Sequence, residues 1–172
     1  MLSHRFFILT TAALLLLPLA GHGMSNRPDK VAMEADLLYT GGQCVGDRQP
    51  SVRWIDSPED LDVVRSEQKT SDGQAIDALR IDFEADALVW VDMGEKSTAG
   101  YRLGLHVNNI VIEGETARVT LSWMEPPPGS LTAQIITHPC ALIRLPRGNY
   151  SVVEFVDQNQ QLRFKLQVPN NR

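Results

Sequence analysis

Beyond Lys30 the chain alternates apolar and polar positions with the period of a β-strand, and it does so repeatedly. The clearest case sets Ala117, Val119, Leu121 and Trp123 against Arg118, Thr120, Ser122 and Met124. Leu79, Ile81, Phe83 and Ala85 alternate with Arg80, Asp82 and Glu84. Tyr101, Leu103, Leu105 and Val107 do the same against Arg102, Gly104, His106 and Asn108. Further strands are expected over Met33 to Tyr39, Val52 to Ile55, Ala87 to Met93, Leu131 to Thr137, Cys140 to Leu145, Ser151 to Val156 and Leu162 to Val168. One helix interrupts them. Ser57 can cap it, Pro58 fits its first turn, Glu59 and Asp60 suit its exposed amides, and Leu61, Val64 and Val63 offer a short apolar stripe.

Turn residues separate these segments. Gly41-Gly42, the polar run Lys69 to Gly73 and Pro146 to Asn149 are examples, and Glu125-Pro126-Pro127-Pro128-Gly129 cannot continue a central strand because proline donates no hydrogen bond. Many short strands with one helix predict an antiparallel β-sandwich or partly open barrel rather than a nucleotide-binding α/β fold. A single β-rich domain over 31–169 is the simplest organisation, with 21–30 as a flexible tail. The stretch Val89 to Leu105 stands at its centre: an apolar strand enters the loop 93–101 and leaves as an alternating one, which suggests neighbouring strands joined across a surface loop.

Residues 1–20 read as a signal peptide. Met1 to Arg5 is positively charged, Phe6 to Leu19 is almost wholly apolar, and Pro18-Leu19-Ala20 precedes a cut at Gly21. The run is short for a membrane span, so no stable transmembrane anchor is expected after cleavage, and the expected location is the periplasm or the medium. The net charge of −5, made more negative by losing Arg5, argues against nucleic acid as a partner. Cys44 and Cys140 are the only cysteines. In an oxidising compartment they are candidates for one disulfide, with free or intermolecular thiols as the alternative.

Catalytic chemistry has little support. His138 and Cys140 lie close in sequence, but a thiol nucleophile needs accessibility and an oriented base. No zinc helix, paired-cysteine metal motif, calcium loop, phosphate-binding glycine loop or nucleophile elbow occurs, so no metal, cofactor or catalytic residue is assigned. Trp54, Trp90 and Trp123 could stack on a small ligand or an envelope polysaccharide, yet each lies within or beside a strand-compatible stretch, where core or rim packing is the more usual role.

The stretch Met93-Gly94-Glu95-Lys96-Ser97-Thr98-Ala99-Gly100-Tyr101 resembles the signature of the PrcB family of protease-complex subunits, commonly Gly-Glu-Lys-Pro-Thr-Gly-Gly-Tyr. Gly94, Glu95, Lys96, Thr98, Gly100 and Tyr101 match, while Ser97 and Ala99 depart from it. Pro128-Gly129, Thr137-His138-Pro139 and Ala141 to Leu145 extend the likeness, so that 76–168 resembles the family's C-terminal domain. A weaker likeness links Lys96 to Tyr101 with the Asn-Pro-Thr-Thr-Gly-Tyr loop of chagasin-type cysteine protease inhibitors, without its Asn-Pro start.

The resemblance implies a noncatalytic exported domain that binds an envelope protein or protease, as an accessory or regulator of a protease complex. A protease inhibitor and a small-ligand or polysaccharide binder are the alternatives. The candidate protein-binding residues are Glu95, Lys96, Ser97, Thr98, Ala99, Gly100 and Tyr101. The same residues also have a plain structural reading, in which Gly94 and Gly100 make a tight connection and Tyr101 joins the core.

Overall fold

A β-strand buried on one face alternates in sequence, whereas a strand covered on both faces is continuously apolar. Both kinds occur in the computed structural model, which describes residues 31–68 and 74–169. Its elements are β1 (Val31–Met33), β2 (Asp36–Gly41), β3 (Ser51–Ile55), α1 (Pro58–Glu67), α2 (Gln74–Asp77), β4 (Asp86–Asp92), β5 (Arg102–Glu113), β6 (Thr116–Met124), β7 (Cys140–Pro146), β8 (Val152–Val156) and β9 (Leu162–Gln167). They form a five-stranded sheet, β1-β5-β6-β8-β9, and a four-stranded sheet, β2-β7-β4-β3. The two sheets are not closed into a barrel. Among the described residues no helix is long and apolar enough to cross a membrane.

The main core lies between the sheets, where Val89, Val91 and Ile143 meet Leu103, Val119, Leu121 and Phe155. A second core covers the outer face of the four-stranded sheet, with Leu61 and Val64 of α1 and Ile76 of α2 packed with Leu88, Trp90 and Leu142. Being sandwiched between two cores is what makes β4 and most of β7 continuously apolar. α1 starts as its sequence dictates: the Asp60 N–H donates to Ser57 Oγ at 3.1 Å, and Pro58 occupies the first turn.

Cys44 and Cys140 are joined, with Cα atoms 6.1 Å apart and a sequence separation of 96. By loop-closure entropy alone a link of that span contributes about 4–5 kcal/mol. At the opposite end of the seam between sheets, the Asn109 side chain holds both polar groups of Ala35, its Oδ1 accepting the N–H and its Nδ2 donating to the carbonyl, each at 2.9 Å. This clamp fixes the step from β1 in one sheet to β2 in the other.

Several expectations change. Met33 to Tyr39 is divided between two sheets instead of forming one strand. Leu79 to Ala85 keeps most of its alternating exposure but is not a strand, because arginines take the place of a ladder: Arg65 Nη2 donates to the Leu79 carbonyl at 2.9 Å and Arg147 Nε to that of Phe83 at 2.8 Å. The alternation begun at Tyr101 fails beyond Leu105. A bulge with Asn108 at φ 53° leaves Val107 exposed and turns Asn109 and Ile110 inward. Leu131 to Thr137 is irregular apart from a single bridge between Thr137 and Lys96.

β4 and β5 belong to different sheets, so the loop between them crosses the sandwich and joins no neighbouring pair. β6 and β8 run parallel, because β7 lies in the other sheet between them; every other strand pair among the described residues is antiparallel. A second short helix, α2, accompanies the expected one. The signal peptide expected over 1–20, the tail expected over 21–30 and the polar run 69–73 lie outside the described residues.

Candidate functional site

The crossing loop begins at a buried carboxylate. Asp92 ends β4, is wholly inaccessible, and accepts the Gly94 N–H on Oδ1 at 2.6 Å; its Oδ2 has no hydrogen-bond partner. Burial raises its pKa above the usual carboxylate range, and the Gly94 amide and the neighbouring His138 and Lys96 only partly oppose that rise. Gly46 lies so close to Oδ2 that a β-carbon there would collide with it. Gly94 has φ 73°, and a β-carbon on it would come within 2.6 Å of the Arg48 carbonyl. Glycine is therefore needed at Gly94 for both conformation and space.

From here the loop is fastened by its backbone. Glu95 N–H donates to the Arg48 carbonyl at 3.1 Å. Lys96 and Thr137 exchange two main-chain hydrogen bonds, each 2.8 Å. Ala99 N–H donates to the Ala133 carbonyl at 3.0 Å, and Thr137 Oγ1 donates to the Thr98 carbonyl at 3.1 Å. Gly100, at φ 102°, packs against Pro126 and Thr132. Tyr101 is half-buried against the main core, with Lys96 Nζ 5.5 Å from its ring centre.

Of the residues singled out in sequence, Glu95, Ser97 and Gly100 are exposed, while Lys96, Thr98, Ala99 and Tyr101 are partly covered. Glu95 faces Arg48 and His138 at 4.0 and 3.9 Å. Together these contacts make the loop a support for the segment 131–138. That segment carries what sequence reasoning missed: Leu131 is fully exposed, and Ile136 and Ile135 expose 61% and 50% of their surfaces. The signal was present. Adjacent Ile135 and Ile136 cannot both face the core of a half-buried strand.

Other candidates lose their chemistry. Cys140 is in the disulfide and offers no thiol beside His138. Trp90 and Trp123 are buried and Trp54 is half-buried, so none of the three tryptophans is fully exposed to solvent. Among the described residues no His, Cys, Asp and Glu side chains cluster in a way that could hold a metal ion.

Fold and site together define a two-sheet β domain whose most distinctive surface is built by a loop stitched to an exposed apolar segment. Residues 88–146 match the family model described as PrcB C-terminal. That match spans about a third of the chain, narrower than 76–168, and contains the loop, the apolar segment, strands β5 to β7 and all but the first two residues of β4. None of the curated proteins and none of the solved structures matches the chain significantly.

Proposed function

We propose that the chain is an exported, noncatalytic protein-binding domain, acting in the periplasm or outside the cell as an accessory or regulator of a protease complex. The observation that carries the reading is the display of Leu131, Ile135 and Ile136 on a segment held by the 94–101 loop. Apolar side chains cost free energy in water, and a backbone fixed in advance lowers the ordering cost when a partner covers them. The PrcB C-terminal match supports a protease complex as the setting.

On this reading Glu95, Ser97 and Gly100 form the polar rim of the contact and Leu131, Ile135 and Ile136 its apolar centre, the usual arrangement of a protein interface. Lys96, Thr98, Ala99 and Tyr101 hold the rim in place. The test is copurification from native envelope extracts with a Leu131→Ser, Ile136→Ser variant whose folding is checked independently. Loss of one reproducible protein, together with recovery of that protein by the parent, is expected. Equal capture by parent and variant would move the contact elsewhere. If the captured protein is a protease, its activity with and without this domain separates accessory from inhibitor.

A further inference from the structure

Where β5 begins and β6 ends, a groove of about 520 Å³ is lined by Gly100, Arg102, Met124, Pro126, Ser130 and Thr132 among others. Three pieces of chain meet there. Gly100 packs against Pro126 and Thr132, so the crossing loop, the proline run and the apolar segment share one wall. Arg102 and Met124 stand opposite each other on the β5–β6 ladder. Their neighbours Leu103 and Trp123 are buried in the main core, so by the period of a strand Arg102 and Met124 face outward. Met124 exposes 44% of its surface, and the apolar character of the 131–136 segment therefore continues into the groove.

The charge of the groove is unspent. Every other arginine among the described residues reaches a carboxylate or a main-chain carbonyl, from Arg48 near Glu95 at 4.0 Å to Arg163 on Asp157 at 2.7 Å. Arg102 is exposed, and no hydrogen bond or ion pair holds its guanidinium. Glu125, a carboxylate on the groove wall, is engaged elsewhere: it accepts Trp123 Nε1 at 2.8 Å and lies 3.9 Å from Arg163 Nη1. In a chain of net charge −5, a free guanidinium beside exposed apolar side chains attracts an acidic group that most of the surface would repel.

We propose that this groove receives an acidic side chain of the partner protein, whose neighbouring apolar residues cover Met124 and the 131–136 segment. A guanidinium presents paired N–H donors that match the two oxygens of a carboxylate. Ser130 and Thr132 bring hydroxyl groups to the same groove, while Pro126 and Pro127 add apolar wall without N–H donors. The inference rests on the protein-binding reading and adds the charge that the partner carries. The apolar segment supplies contact area; Arg102 fixes which partner fits.

The test titrates the folded protein with a capped peptide holding glutamate between leucines, with its glutamine and lysine counterparts, and with the glutamine peptide given a free C-terminal carboxylate. The Arg102 Nε and the Ser130 and Thr132 amide resonances are followed. The glutamate peptide is expected to shift them, and the glutamine peptide to bind about tenfold more weakly, the loss for removing a charge-assisted hydrogen bond. Arg102→Gln should abolish that difference. Absence of binding, or equal binding by the glutamine or lysine peptide, overturns the proposal; equal binding by the free-carboxylate peptide overturns it in favour of a chain end. In native envelopes, Arg102→Glu should lower the yield of a protein adduct from a photo-crosslinker at Ile136 about tenfold, by the same loss, and Arg102→Lys should lower it less. An adduct undiminished by Arg102→Glu overturns the groove and leaves the protein-binding reading standing. No adduct even with Arg102 intact removes that reading as well.

Discussion

Two aspartates, both wholly inaccessible and both at the end of a strand, are treated in opposite ways. Asp157, after β8, accepts Asn159 N–H at 2.8 Å and Gln161 N–H at 3.0 Å on one oxygen, and Arg163 at 3.0 and 2.7 Å on the other. Burial alone would raise its pKa, but these donors outweigh it and hold the carboxyl below its ordinary range. Asp92, before the crossing loop, has one amide donor and a bare oxygen, and burial raises its pKa. The first turn is closed on itself. The second holds Gly94 with one oxygen of a buried carboxyl and leaves the other without a partner, at the root of the loop that supports the exposed 131–138 segment.

Removing the satisfied carboxylate should have the largest effect. Asp157→Ala leaves two amides and a guanidinium without their acceptor, and is expected to cost about 3 kcal/mol in denaturant unfolding, moderated because Arg163 can reach water. Its parent contribution is present above the unfolded carboxylate pKa and is lost as pH falls through the lowered folded value. Gly94→Ala ranks next, at about 2 kcal/mol, since it forces a positive φ and a close approach to the Arg48 carbonyl. It should also weaken hydrogen-exchange protection of the Glu95 and Lys96 amides while leaving the Asp157 turn unchanged.

Asp92→Asn is expected to have the smallest effect, within about 1 kcal/mol at neutral pH, because the retained oxygen still accepts Gly94 and relief of the carboxyl's burial is offset by an amide nitrogen left without an acceptor. For Asp92 the raised folded pKa means that its favourable protonated form is fully present below the unfolded pKa and is lost as pH rises through the folded one. The Asn variant should therefore lose that pH dependence. Retention of the parent profile would remove Asp92 from the account.

Much of the fold was legible from alternation, because β6 has one wet face and β4 has none. The disulfide was legible as a candidate pair. What alternation cannot supply is a neighbouring strand: Leu79 to Ala85 has buried and wet faces but finds arginine side chains where a ladder would be. Leu131 to Thr137 reads as a strand for the same reason, and Ile136 ends in solvent. Within the loop motif Lys96, Thr98 and Ala99 use their backbones to fasten the segment opposite. Such long-range pairing is set by tertiary structure, beyond the reach of a local pattern.

The most direct measurement places a photo-crosslinking amino acid at Ile136, and in a separate protein at Lys165 on β9, and irradiates native envelopes. The account predicts a discrete protein adduct from Ile136 and none from Lys165, abolished when Leu131→Ser is added to a protein that remains folded. No adduct from Ile136, or the same adducts from both positions, would contradict it.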